Sequence, residues 1–156
     1  MIRTLTNAAG SRGMAGGQAI DLASVGRTLN IAELETMHIY KTGALIRACV
    51  NMATLSATGL NERQIRNLDH FAKCVGLAFQ IRDDILDVEG DTETLGKTSG
   101  ADQALDKPTF PGTIGLQASR ERATDLHAEA IASLAGFGEE ADVLREIAHY
   151  IIQRIH

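Results

Sequence analysis

The chain has 156 residues, 44% of them apolar and 22% charged, with a formal net charge of −5; this is the make-up of one globular domain with its own core. The acidic balance argues against nucleic acid as the main partner, and four Phe, two Tyr and no Trp leave little for base stacking. No stretch approaches the roughly 20 apolar residues of a membrane helix, and the start, MIRTLTNAAGS, has no apolar signal segment.

Residues 1 to about 25 are rich in Ala, Gly, Met and Leu, with Gly10, Gly13, Gly16 and Gly17 closely spaced. Each glycine costs a helix about 1 kcal/mol relative to Ala. A helix here is expected to keep them for close approach to another backbone or to a ligand; a loop is the other reading. Asn30 with Glu33 predicts an N-cap and capping box. The helix that follows carries Leu34, Met37, Leu45, Ala48, Met52 and Leu55 on one stripe, and Lys41 falls on that stripe. A lysine there either takes a buried partner or snorkels outward.

Cys49 and Cys74 lie far apart in apolar helical patterns and read as reduced, buried thiols of a cytoplasmic protein. Asn61 with Gln64 predicts a second helix start, running through Leu68, Phe71, Ala72, Val75 and Phe79 to Asp87, with Gly90 as the stop. The stretch GDTETLGKTSGADQALDKPTF, residues 90–110, has no period, and a loop of this length is expected to be functional. Helices over about 112–135 and 140–154 follow, the last with Val143, Leu144, Ile147, Ile151 and Ile155 on one side. No segment has strand patterning, so the fold class is all-α.

The chemistry concentrates in QIRDDILD, residues 80–87. Gln80, Asp83 and Asp87 are spaced to share a helix face, with about 6 Å of rise between the last two. Asp84 adds a third carboxylate. Like charges at this spacing repel, and a helix C-terminus disfavours anions. A divalent cation would offset both costs, and all-oxygen ligands point to Mg²⁺ or Mn²⁺. A solvated acidic helix end is the other reading. Lys41, Lys97 and Lys107 are cations able to meet phosphate oxygens, and Asp102 lies in the same loop as the last two. GDTETLGKT is not a P-loop, because five residues rather than four separate Gly90 from Gly96. The five histidines, His38, His70, His127, His149 and His156, show no ligand spacing, although His38 lies three residues before Lys41.

Four stretches taken together, GMAGGQAIDL at 13–22, HIYKTGALI at 38–46, GLAFQIRDDILD at 76–87 and the 90–110 loop, resemble the trans-isoprenyl diphosphate synthases. The resemblance implies an isoprenoid-synthase helical bundle and a Mg²⁺- or Mn²⁺-dependent prenyltransferase. It implies allylic (dimethylallyl or geranyl) and isopentenyl diphosphates as substrates, and a homodimer in the full-length enzyme. By the same resemblance, Asp83, Asp84 and Asp87 match the second aspartate-rich motif, with Asp83 the direct metal ligand. Lys41, Lys97 and Lys107 match diphosphate-binding positions. Thr42 and Gln80 match residues beside the reacting carbon. Asp102, Gln18 and Asp21 match supporting polar positions, and an Asp21–Lys41 pair is expected. Asp83-Asp84 is the single adjacent aspartate pair in the chain, so the family's first aspartate-rich motif is missing. Residues 1–156 are therefore expected to be the C-terminal portion of a polyprenyl synthase domain, inactive alone. The alternative is a non-catalytic helical partner subunit of a heteromeric prenyl synthase.

Overall fold

The computed structural model describes residues 1–89 and 107–154; Gly90, Lys97, Asp102 and Ile155 lie outside the described residues. Among the described residues every regular element is helical, as the patterning implied. None of these helices is long and apolar enough to cross a membrane.

The glycine-rich start forms two helices, α1 (Ile2–Ala9) and α2 (Met14–Ala23), separated by a turn at Gly10–Gly13. The first predicted cap is present. Asn30 Oδ1 accepts from the Glu33 amide at 3.0 Å, and Glu33 Oε2 accepts from the Asn30 amide at 2.9 Å. This box opens α3 (Ile31–His38), which passes through a π-turn at Ile39–Gly43 into α4 (Ala44–Ser56). Asn61 and Gln64 make the same reciprocal bonds, at 2.9 and 3.0 Å. They open α5 (Glu62–Glu89), a helix of 28 residues that is about 40 Å long at 1.5 Å per residue. Beyond residue 106 come α6 (Phe110–Ile114), α7 (Leu116–Ser133), a 3₁₀ turn at Glu139–Ala141, and α8 (Asp142–Gln153).

α5 is the spine. It packs along α7 and also meets α4, the π-turn, α6 and α8. Its buried positions run from Leu68 to Asp87 and join Leu34, Met37, Phe110, Leu126, Leu134 and Ile151 in one core. Each fully buried large apolar side chain contributes about 1.5–3 kcal/mol, so the middle of α5 is held firmly in place.

Four expectations are corrected. The Leu34–Leu55 stripe is not continuous: Leu34, Met37 and Ala48 are buried, Leu45 and Met52 are half-buried, and Leu55 is exposed. The π-turn adds a residue, and one added residue rotates the downstream helix by about 100°. The predicted 112–135 helix is split at Gly115, whose φ of 85° an α-helix cannot contain. On α8, Leu144 and Ile151 are covered as expected, but Val143 and Ile147 are exposed and Ala148 completes the covered face. Cys49 is exposed, whereas Cys74 is buried as expected.

Candidate functional site

Two glycine contacts set the site. A Cβ on Gly17 would lie 2.1 Å from the Lys41 amide nitrogen, so α2 rests backbone to backbone on the π-turn. Asp21 stands one turn after Gly17 on the same buried face of α2. That close approach brings its carboxylate to Lys41: Nζ to Oδ2 is 2.9 Å, with the two side chains 24% and 9% exposed. The pair expected between α2 and the Lys41 helix is thus present, and the lysine is partnered within the stripe rather than alone.

The second contact repeats the device. A Cβ on Gly76 would lie 3.1 Å from Gly43 Cα, and Gln80 stands one turn after Gly76 on α5. The Thr42 hydroxyl donates to Gln80 Oε1 at 3.0 Å, and Gln80 Nε2 donates to Asp83 Oδ2 at 3.2 Å. The π-turn supplies both Lys41 and Thr42, and successive residues there serve different helices: Lys41 reaches α2 and Thr42 reaches α5. π-turns inside helices recur at functional sites.

These residues meet around a small cavity of about 90 Å³, lined by Asp21, Lys41, Gln80, Asp83, Asp84 and Lys107 together with His38 and Thr109. Asp87, which is 2% exposed, lines an adjoining cavity of about 300 Å³. Lys107 and Thr109 border both spaces. The three aspartates therefore divide their work. Asp83 is the most open of the site carboxylates, with its side chain 39% exposed. Asp84 Oδ2 accepts the Phe110 backbone N–H at 2.9 Å, which anchors the start of α6 and so the Lys107–Thr109 approach. The carboxylates do not converge on one point; among the described residues the one group of three donor atoms within 4.8 Å lies elsewhere, between α5 and α7.

Of the remaining candidates, Gln18 is exposed on α2 and does not line the cavity. Lys97 and Asp102 lie outside the described residues.

Two further residues take part that the sequence did not place at the site. Arg154 Nη2 sits 2.5 Å from Asp83 Oδ1, donates to Phe79 O at 3.0 Å, and lies 4.1 Å above the Phe79 ring centroid. Arg82 holds the Arg154 carbonyl at 2.8 Å. Phe79 and Asp83 are a helical turn apart on α5, but nothing in the sequence pairs them with a residue 75 and 71 positions later. His38 is buried, 3.5 Å from Asp84 Oδ2 and stacked on Phe110 at 5.6 Å. Its closeness to Lys41 in sequence was the available hint.

The arrangement defines a class: an all-helical protein with lysines and carboxylates around one cavity, suited to an oxyanion and a hard cation together. Comparison with known proteins narrows the class. The chain belongs to the polyprenyl synthetase family, whose profile matches residues 1–151. The farnesyl diphosphate synthase of Escherichia coli K12 is 48% identical over 157 residues, covering 99% of this chain and 52% of its own length. An FPP/GFPP synthase from Zymomonas mobilis, solved in apo form, is 39% identical with a TM-score of 0.81; the match covers 96% of this chain and 49% of that one. A Helicobacter pylori geranyltransferase, solved with magnesium and isoprenyl diphosphate, is 31% identical with a TM-score of 0.79, covering 97% and 49%. The chain thus spans about half the length of these relatives.

Proposed function

We propose that this chain forms one wall of a Mg²⁺-dependent prenyltransferase site. The reaction condenses an allylic diphosphate, dimethylallyl or geranyl, with isopentenyl diphosphate to a short-chain product such as farnesyl diphosphate. The observation that carries this reading is the meeting of Lys41 and Lys107 with Asp83 and Asp84 around one cavity, beside the Thr42–Gln80 pair.

The α5 donors are all carboxylate oxygens, the set that suits a hard cation. Mg²⁺ fits them, and Mn²⁺ shares the preference. Mg²⁺ commonly takes one or two carboxylates and leaves its other positions to water and phosphate oxygens, which agrees with carboxylates that do not converge. Asp83 would hold it foremost, with Asp84 and Asp87 behind. When bound, Mg²⁺ offsets the negative charge that grows on the departing diphosphate.

The chain's own residues prepare the rest. Asp21 fixes the Lys41 ammonium, so its charge stands at a set point for the diphosphate without a search over rotamers. Lys107 lines the same space. The allylic C–O bond breaks with its electron pair leaving on the diphosphate. The Thr42 hydroxyl and Gln80 carbonyl, held by their mutual bond, present partial negative charge to the resulting cation. The isopentenyl double bond attacks that cation, and the proton then lost passes to the released pyrophosphate. Lys97 and Asp102 enter this reading through the resemblance alone, as do the homodimer and the cytoplasmic setting.

The chain holds one adjacent aspartate pair where the reaction calls for two facing motifs, so the 156 residues by themselves are expected not to turn over. Prenyl transfer by the isolated chain at enzyme-like rates would overturn that. The binding test is a thermal melt with inorganic pyrophosphate and Mg²⁺. We expect a rise in Tm that needs both, is lost in Lys41→Ala, and loses its Mg²⁺ dependence in Asp83→Ala. No shift in the parent chain, with tight binding to a second helical chain, would favour the partner-subunit reading instead.

A further inference from the structure

We propose that His70, Cys74 and Glu129 form a binding site for a zinc-class divalent cation, outside the aspartate cavity. His70 and Cys74 stand one turn apart on α5, and Glu129 faces them from α7. The three donor atoms form a nearly regular triangle. Cys74 Sγ lies 3.7 Å from His70 Nε2 and 3.7 Å from Glu129 Oε2, and His70 Nε2 lies 3.6 Å from Glu129 Oε2.

Those lengths are close to one face of a coordination tetrahedron. Metal–sulfur bonds of about 2.3 Å and metal–nitrogen or –oxygen bonds of about 2.0–2.1 Å, at tetrahedral angles, separate the ligands by about 3.3–3.6 Å. A contraction of a few tenths of an ångström at most closes the site. The packing of α5 on α7 has therefore already brought the ligands together. The donor types decide the metal class: a thiolate and an imidazole select zinc-like ions over the Mg²⁺ suited to the aspartates.

Access and a fourth position are both present. Cys74 is buried, but the His70 and Glu129 side chains are 53% and 48% exposed. All three line a cavity of about 550 Å³, which leaves room for a water or an anion as the fourth ligand. The neighbouring cations are already engaged: Lys73 with Asp69 at 3.3 Å, and Arg122 with Glu35 at 3.0 Å. Among the described residues this is the one place where three such donor atoms gather within 4.8 Å. A bound ion would clip α5 to α7 on the helix that also carries the aspartates.

Co²⁺ titration tests the site, because a thiolate-to-cobalt charge-transfer band cannot arise at the all-oxygen aspartate cavity. In the chain carrying Cys49→Ser, which removes the exposed thiol, we expect one equivalent of Co²⁺ to raise that band and Zn²⁺ to bleach it. Cys74→Ser should abolish the band. His70→Gln and Glu129→Gln, at half-exposed positions that keep the fold, should each weaken Zn²⁺ binding at least tenfold. Absence of the band in the Cys49→Ser chain would overturn the proposal. So would unchanged Zn²⁺ affinity in both the His70→Gln and Glu129→Gln chains.

Discussion

Replacing Gly17 by Ala tests how the site is built without touching any group that meets substrate. On an isolated helix the change would stabilise by about 1 kcal/mol. Here the new methyl would lie 2.1 Å from the Lys41 amide nitrogen and 2.5 Å from Lys41 Cα. Reaching the 3.4 Å of ordinary contact requires 3.4 − 2.1 = 1.3 Å of separation between α2 and the π-turn. Carried through as a rigid shift, that opens the Lys41–Asp21 contact from 2.9 Å to about 4.2 Å, beyond hydrogen-bond range. Overpacking costs about 1–3 kcal/mol, and loss of a charge-assisted bond adds to it. Set against the propensity gain, the net is a destabilisation of about 1–3 kcal/mol, or roughly 2–4 °C in Tm per kcal/mol for a chain of this size. Urea unfolding of the two proteins reads the difference directly. Gly136→Ala is the internal control: its Cβ would meet nothing within 4 Å, and its φ is not positive, so it should stay within about 0.5 kcal/mol of the parent. A Gly17→Ala chain as stable as the parent, with unchanged pyrophosphate affinity, would refute the backbone contact as the source of the geometry.

Asp84→Ala should cost about 1–3 kcal/mol in chemical denaturation, because it leaves the buried Phe110 N–H without its acceptor. Asp83→Ala, at a more open position, should cost less stability and more Mg²⁺ dependence. Asp69 reports on pH: burial alone would raise its carboxyl, but hydrogen bonds and charge from Arg47, joined by Lys73, hold it below the ordinary value of 3.8. Its contribution is therefore present above about pH 3.8 and is lost as pH falls through the lower folded value; Asp69→Asn should be the less stable chain at neutral pH, with the difference closing in acid. The two thiols should separate chemically. Cys49 is exposed, whereas burial, and then the nearby Glu129 carboxylate, push the Cys74 thiol up to about 11. An aromatic disulfide reagent at pH 8 should titrate about one thiol per native, metal-free chain and two after unfolding; two fast thiols in the native chain would contradict the burial of Cys74.

The features legible in the sequence were local ones. The Asn30–Glu33 and Asn61–Gln64 boxes are made by residues three apart, and both formed. Helical spacing placed Gln80, Asp83 and Asp87 on one face; Gln80 and Asp83 do share a cavity, but with Asp84, while Asp87 lines the adjoining one. The meeting of Lys41 with Asp21 was suggested by resemblance, which also placed Thr42 and Gln80 in one region without pairing them; separations of 20 and 38 residues are settled by packing. The π-turn was not legible: IYKTG has no composition that marks it, and the backbone stays helical on both sides. Without that turn, the apolar stripe extends too far, to Leu55. Gln18 illustrates the same limit from the other side. It adjoins Gly17 and precedes Asp21 by three residues, yet the close approach at Gly17 selects the face that carries Asp21 and leaves Gln18 in solvent. On α8, Val143 and Ile147 fit an apolar side with Ile151, but packing against α5 and α7 covers Ala148 and Ile151 and leaves the other two in solvent.

The π-turn also makes this helix a counting device. Lys41 and Thr42 face different neighbours because Ile39–Gly43 holds one residue more than a regular turn would. Removing a single residue there would restore a plain α-helix, locally the easier structure to form, while turning everything beyond it by about 100°. A length change of one would therefore preserve helix content and apolar composition and still dismantle the site. In this segment the number of residues carries as much information as their identity.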